Sequence, residues 1–389
     1  MANIISSSTI ATILNESYAQ NCKLEDGADA TLVTLSEDLG NIVDFGKQVS
    51  ELSGSALAST ITTMLNKIRT THVIPRLFES TAPDVYMDTE EFIGMTEIAY
   101  VGENDFSASL EFDCVANKSG GTNSFADLFG KAIPAVNAVY FDKFVPYRQK
   151  ITITADQFMD AFLKPEAMTS LFAEQVNVLE VKMKAAVDLL RWKAFDSAVL
   201  EVSAKRSSDI TTELGANYTA SDLVNAIKAI VRNFKEYNNQ YADEKFVSSI
   251  PASEIRLAIR ADVYDKLVTS YANVFNPEFL KLPVDSIKDL NHFGKKSDPD
   301  CVTGITPSVT TGKYGKVDKL VAVIYAKEGI GCSMQKEKIT SQYVANEDIT
   351  NYFHLATAGY RVVTDLPMAL IVENGGGYTE VDIPTEAKS

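Results

Sequence analysis

Positive charge, histidine, cysteine and long apolar runs are all scarce in this chain. Its 389 residues include 52 acidic and only 36 basic ones, a formal net charge of −16. A surface this acidic argues against a dedicated DNA- or RNA-binding module, because it repels phosphate. It does not exclude a protein whose inner face merely encloses nucleic acid, where like charge prevents sticking. The four cysteines, Cys22, Cys114, Cys301 and Cys332, lie far apart. No C-x-x-C pair and no Cys–His cluster of metal-ligand spacing exists, so reduced structural thiols are expected. The three histidines are His72, His292 and His354. None has a His partner three or four residues away, which excludes an H-x-x-x-H metal site. His354, inside Asn351-Tyr352-Phe353-His354-Leu355, is expected to pack or hydrogen-bond in a strand. No apolar run reaches the roughly 18 residues of a transmembrane helix, so no membrane partner is expected. The start, MANIISSSTIATILNES, lacks the charged first region and continuous apolar core of a signal peptide. Without such a signal, the acceptor-like Asn15-Glu16-Ser17, Asn117-Lys118-Ser119 and Asn217-Tyr218-Thr219 are chance matches.

Catalytic signatures are missing as well. No G-x-G-x-x-G follows a strand pattern, and no G-x-x-x-x-G-K-[ST] occurs. Gly312-Lys313-Tyr314-Gly315-Lys316 is a basic turn without phosphate-loop spacing, and Asn374-Gly375-Gly376-Gly377 is expected to be a C-terminal turn. Ser6-Ser7-Ser8 sits in no nucleophile-elbow context. Asp298 and Asp300 belong to a Pro-containing loop and are expected to be solvated. No catalytic residue, cofactor or metal is expected, and a structural protein is favoured over an enzyme.

What the chain does have is a stretch from Glu166 to about Ala204 with no Pro or Gly. Met168, Phe172, Val176, Leu179, Met183, Val187 and Leu190 recur in steps of three and four, one face of a helix. At about 1.5 Å per residue this strut would be roughly 55–60 Å long, with Pro165 at the first helical position.

Before it, residues 1 to about 35 look like a weakly packed arm. Ser36, with Glu37 and Asp38, opens a helical pattern through Leu39, Ile42, Val43 and Phe45; a second covers about 53–70. Between Asp84 and Thr154 the period becomes two. Phe106, Ala108, Leu110, Phe112 and Cys114 alternate with Ser107, Ser109, Glu111 and Asp113, a half-buried strand. A turn at 117–124, a return segment from Val136 to Val145 and a strand at Lys150–Thr154 complete a long β-excursion. Thr154-Ala155-Asp156-Gln157 is a capping box for a short helix to about Leu163.

After the strut, a helix from about Ser221 to Tyr237 presents Leu223, Ile227, Ile230, Val231 and Phe234. Ile255, Leu257 and Ile259 alternate as in a strand, and Asp262 to Val268 is helical. Residues 285–318 are loop-rich. Leu320 to Tyr325 fits a strand buried on both faces, and Tyr352–Val363 and Met368–Val372 are β-like. The tail from Gly375 is expected to be turn and then disorder. Helices and strands run in separate groups, so the class is α+β.

At several places the chain resembles the major capsid proteins of tailed bacteriophages, which share the Hong Kong 97-type fold. The carrying segments are Asp84-Val85-Tyr86-Met87-Asp88-Thr89-Glu90-Glu91-Phe92, Gly102-Glu103-Asn104-Asp105-Phe106, Pro134 to Lys143, and Ile151 to Phe162. Ala272-Asn273-Val274-Phe275-Asn276-Pro277-Glu278 and Asn351-Tyr352-Phe353-His354 are similar to positions in head proteins of small, short-tailed phages. The resemblance implies an N-terminal arm (1–75) and a peripheral domain (76–95 and 148–214) holding the strut, 166–204, as its spine helix. It further implies an extended loop (96–147), an axial domain (215–345) and returning strands with a tail (346–389).

The implied function is self-assembly through pentamers and hexamers into an icosahedral virion shell around double-stranded DNA, contacted non-specifically. The chain has no charged coiled-coil N-terminal extension, which implies a separate scaffolding protein; portal and other head proteins are the remaining implied partners. Assembly would take place in the host cytoplasm. Phe106, Phe112, Phe125, Phe129, Phe141 and Phe144 make the excursion too apolar to face water, and are the candidate intersubunit contacts. Two alternatives remain: an encapsulin-type nanocompartment shell, which shares the fold, and an enzyme on an unrelated α+β fold.

Overall fold

The computed structural model describes residues 7–19, 34–50, 59–64, 80–88, 96–101, 136–141, 145–154, 157, 160–236, 241, 249–272, 282–344 and 349–383. In chain order its helices are α1 (Ser7–Ala19), α2 (Ile42–Ser50), α3 (Pro165–Ile210), α4 (Ala220–Lys235) and α5 (Ala261–Ala272). The strands are β1 (Tyr86–Asp88), β2 (Thr96–Val101), β3 (Val136–Phe141), β4 (Val145–Thr154), β5 (Thr211–Leu214), β6 (Ile255–Arg260) and β7 (Ser286–Leu290). They continue with β8 (Phe293–Gly294), β9 (Asp300–Gly304), β10 (Lys313–Ala326), β11 (Ile330–Val344), β12 (Ile349–Val362) and β13 (Met368–Asp382).

The strands form two main sheets and a ribbon. One sheet runs β1-β11-β12-β4; the larger runs β5-β13-β10-β6-β7, with β9 on β10 and β8 on β9. The ribbon is β2 with β3. β11 therefore lies between β1 and β12 in the sheet that also holds β4, and β13 lies in the other sheet. Sheet membership alternates along the C-terminal half, so a single cut there does not separate the two sheets.

The larger sheet holds the main core. Leu320 to Tyr325 in β10 are at most 1% exposed, so this strand is covered on both faces as its unbroken apolar run requires. α4 lays Leu223, Ile227, Ile230, Val231 and Phe234 into this core. Its start is fixed by a reciprocal cap: the Asp222 N–H donates to Thr219 Oγ1 (3.3 Å) and the Thr219 N–H to Asp222 Oδ2 (2.8 Å). The expected capping box at Thr154 and Gln157 also closes, at 3.2 and 3.5 Å.

A second core corrects the expectation of a weakly packed N-terminal arm. Ile10, Leu14 and Tyr18 of α1 are buried with Leu35, Leu39, Phe45, Met64, Phe162, Met168, Ile339 and Tyr352. Asn15 clips residue 35 to α1, its Oδ1 accepting from the Leu35 N–H (2.8 Å) and its Nδ2 donating to the Leu35 carbonyl (2.9 Å). Ser36 does not open α2. Leu39 takes a left-handed φ of 61°, which buries its side chain but ends any helix there. Asn41 instead ties down Ser36 and Thr34, and α2 begins at Ile42.

Three further expectations change. Residues 285–318 carry β7, β8, β9 and the start of β10 rather than mainly loop. The tail does not turn at Gly375, because β13 continues to Asp382 opposite Lys313. The glycines accommodate an irregularity there: Gly377 has φ 137°, and a Cβ on Gly376 would lie 2.7 Å from the Asp318 carbonyl. The spine helix does not stop near Ala204. Arg206 breaks its geometry (φ −146°, ψ 38°) and helical turns resume to Ile210. Lys205 and Arg206 both reach Thr364, holding this kink.

α2 crosses the 3-10 turn Ala161–Leu163 at Gly46, where a Cβ would sit 2.5 Å from Phe162 Cβ. Gly46→Ala is expected to cost about 1–3 kcal/mol through overpacking. A urea melt reads this directly; an unchanged midpoint would refute so close a crossing.

Candidate assembly surface

The 46-residue helix α3 is anchored at its two ends in different cores. Met168, near its start, belongs to the N-terminal core. Ala194, Phe195, Ala198, Val199, Leu200 and Val202 belong to the main core. Between Met168 and Asp188 none of the described side chains is buried. Leu171 and Val178 lean on one core and Leu190 and Trp192 on the other, but Val181 is 38% and Leu189 57% exposed. Of the apolar face read from the sequence, Met168 is buried and Met183, Val187 and Leu190 are partly covered, while the exposed Val181 and Leu189 lie beside it.

The ribbon is held at both feet by the same subunit. Before β2, residues 80–88 are tied to α3 and the larger sheet. Ser80 Oγ donates to the Asp188 carboxylate, Arg191 Nη1 donates to Ser80 Oγ (3.3 Å), and Lys288 Nζ donates to the Ser80 carbonyl (3.2 Å). Tyr325 OH donates to the Asp84 carbonyl at 2.8 Å. After β3, the strand β4 pairs with β12 from Val145–Ala358 to Thr154–Ile349. Within the ribbon Thr96 pairs with Phe141 and Val101 with Val136. Phe141 lies in this ladder, at the ribbon's base. Phe106, Phe112, Phe125, Phe129 and Phe144 lie outside the described residues, as do Cys22, Cys114 and the strand expected at 106–114.

A charge network that the sequence did not reveal braces the larger sheet. Arg260, 9% exposed at the end of β6, donates to Asp262 (2.6 and 3.2 Å), to Glu373 (2.9 Å) and to the Leu320 carbonyl (3.3 Å). Burial works to raise the Asp262 carboxyl, but Arg260 outweighs it and holds Asp262 below its ordinary value. Tyr218 donates to Glu373 as well (3.3 Å), and burial with that carboxylate pushes the phenol up to about 12. Only the Arg260–Asp262 spacing is local enough to be suspected from sequence.

Among the described residues no group of three or more His, Cys, Asp or Glu could hold a metal ion. His354 is 3% exposed in β12, as its strand context predicted, and Cys301 and Cys332 are buried free thiols.

An α+β subunit with a two-core spine helix, two sheets and a ribbon on paired feet has the Hong Kong 97-type architecture of a capsid shell. The chain belongs to the Phi29-like phage major capsid protein family, whose profile matches residues 28–372. It is a structural shell protein of the virion capsid, and the encapsulin-type alternative is not favoured. The fold is similar to that in the capsid structure of Staphylococcus phage Andhra. There the TM-score is 0.50 at 12% identity, over 78% of this chain and 88% of that one. It is also similar to a chain in the structure of the head fiber and inner core protein gp22 of native bacteriophage P68. That match has a TM-score of 0.51 at 10% identity, over 77% of this chain and 89% of that one. Comparison with curated protein sequences found no match.

Arg260→Met should lower stability by about 1–2 kcal/mol, because the carboxylates it leaves are partly solvated and recover some hydration. The loss should be present above the ordinary Asp value of 3.8 and shrink as pH falls through the lower folded value. Denaturant midpoints of both proteins at neutral and acid pH test this.

Proposed function

We propose that this subunit assembles through pentamers and hexamers into an icosahedral shell enclosing double-stranded DNA, and that the extended loop of one subunit covers the open middle of a neighbour's spine helix. The single observation that carries the contact is the exposed apolar stretch around Val181 and Leu189 on α3. Both residues lie between the parts of α3 that are buried in the two cores. Apolar surface of this kind is stabilised when another chain removes it from water. The aromatic residues Phe106, Phe112, Phe125, Phe129, Phe141 and Phe144 suit the opposite side of such a contact. Many identical weak contacts then add up to a stable shell.

The acidic composition supports confinement of DNA without tight binding. A separate scaffolding protein, a portal and other head proteins are the partners proposed for assembly in the host cytoplasm. The division into arm, peripheral domain, extended loop and axial domain belongs to the same proposal.

Expressed protein should form capsomers or shells visible by electron microscopy. A monomer by light scattering across conditions, with virion partners added, would overturn the assembly reading. Leu189→Asp should abolish particles while shifting stability by no more than about 0.5 kcal/mol, the range of an exposed site. Phe106→Ser with Phe112→Ser should impair shell formation more than subunit folding. Loss of the folded monomer would instead place that face in the subunit's own core.

A further inference from the structure

We propose that residues 291–299, which join β7 to β9 through β8, form a proton-sensitive latch that closes on the spine helix over Trp192, Phe195 and Asp196. The latch meets α3 through stacked rings. His292 lies on Trp192 with centroids 4.9 Å apart and planes 17° from parallel. One turn along, Phe293 stacks on Phe195 at 6.1 Å and 13°. Asp196 follows Trp192 by four residues, on the same side of the helix. Asp196 as a whole is only partly covered, but its Oδ1 is closed off from solvent and has no hydrogen-bond partner. His292 Nδ1 is in the same position. While the turn is docked a charge on either group is favoured only by the Gly294 backbone, and burial outweighs that.

The charged groups around the latch leave Asp196 isolated. On α3, Arg191 is engaged with Ser80 and Lys193 is exposed. On the turn, Lys296 faces His292, while Lys295 and Asp298 are exposed. On β9 and β10, Asp300 faces Arg260 (3.7 Å) and Lys316 pairs with Asp318 (2.7 Å). On β13, Glu373 is bound to Arg260. The one group holding the Asp196 carboxylate down is the Gly294 backbone N–H.

The two groups act in opposite directions. Burial raises the Asp196 carboxyl from 3.8 to about 7, so the docked turn keeps a proton that an opened, hydrated carboxylate releases. Rising pH therefore favours opening from 3.8 upward, and the effect levels off above about 7. Burial, with Lys296 adding to it, lowers His292 below its ordinary 6.5. An opened His292 takes up a proton that the docked ring refuses, so opening is favoured as pH falls through 6.5.

Hydrogen exchange of the 291–299 amides in the full chain, corrected for intrinsic rates, separates these effects. In His292→Gln only the carboxyl titrates. Opening should rise by up to about tenfold per pH unit and level off above neutrality. In Asp196→Asn the sign should reverse, with opening rising on acidification. Trp192 is the single tryptophan of the chain, so its emission gives a second readout of the same docking. A pH profile for Asp196→Asn matching that of the parent would overturn the latch. So would a flat profile for His292→Gln between about pH 5 and about pH 7, and that arm decides alone should Asp196→Asn fail to fold.

Discussion

The subunit is built on one long helix whose two ends are buried in two different cores. An isolated helix gains little from its backbone hydrogen bonds in water, and its stability comes from burying one face. In α3 that burial is split between two cores. The N-terminal core closes around Met168 and the main core around Phe195 and Val199. Between them Leu189 is more than half exposed, apolar surface that costs free energy in water until something covers it. The chain on either side of the ribbon is fastened to the same body, by Ser80 before it and by the β4–β12 ladder after it.

Polar chemistry in the larger sheet has a supporting part. Arg260 would be costly to bury alone, but Asp262, Glu373 and the Leu320 carbonyl share its charge and join β6, α5, β13 and β10. Such a network adds little net stability over an apolar replacement. What it adds is geometry, since its members have to meet in one arrangement. The spine helix meets the same sheet through stacked rings, Trp192 on His292 and Phe195 on Phe293.

Periodicity and caps were legible because they are local. The strut was read to Ala204, where Arg206 does break the helix, and the turns beyond it were missed because Thr364 holds them from far along the chain. The faces of α4 and the double-sided burial of Leu320–Tyr325 followed from spacing alone. The packing of α1 did not. Its Ser- and Thr-rich sequence has a weak apolar stripe, and the stripe counts only because Phe45, Phe162 and Tyr352 close over it. The glycine run at 375–377 signalled a turn, yet the neighbouring strand β10 carries it through as an irregular stretch of β13.

The sequence by itself determined the long helix, the face of α4, the buried strand at Leu320–Tyr325 and the absence of recognisable catalytic motifs. These follow from residue order over a few turns or strand lengths, where side-chain direction is set by the backbone period. Only the tertiary structure decided that the first helix is core, that β11 and β13 belong to different sheets, and that Arg260 finds Glu373. Those depend on contacts between residues well separated in the chain, and no local pattern encodes which of many apolar or charged partners will be met.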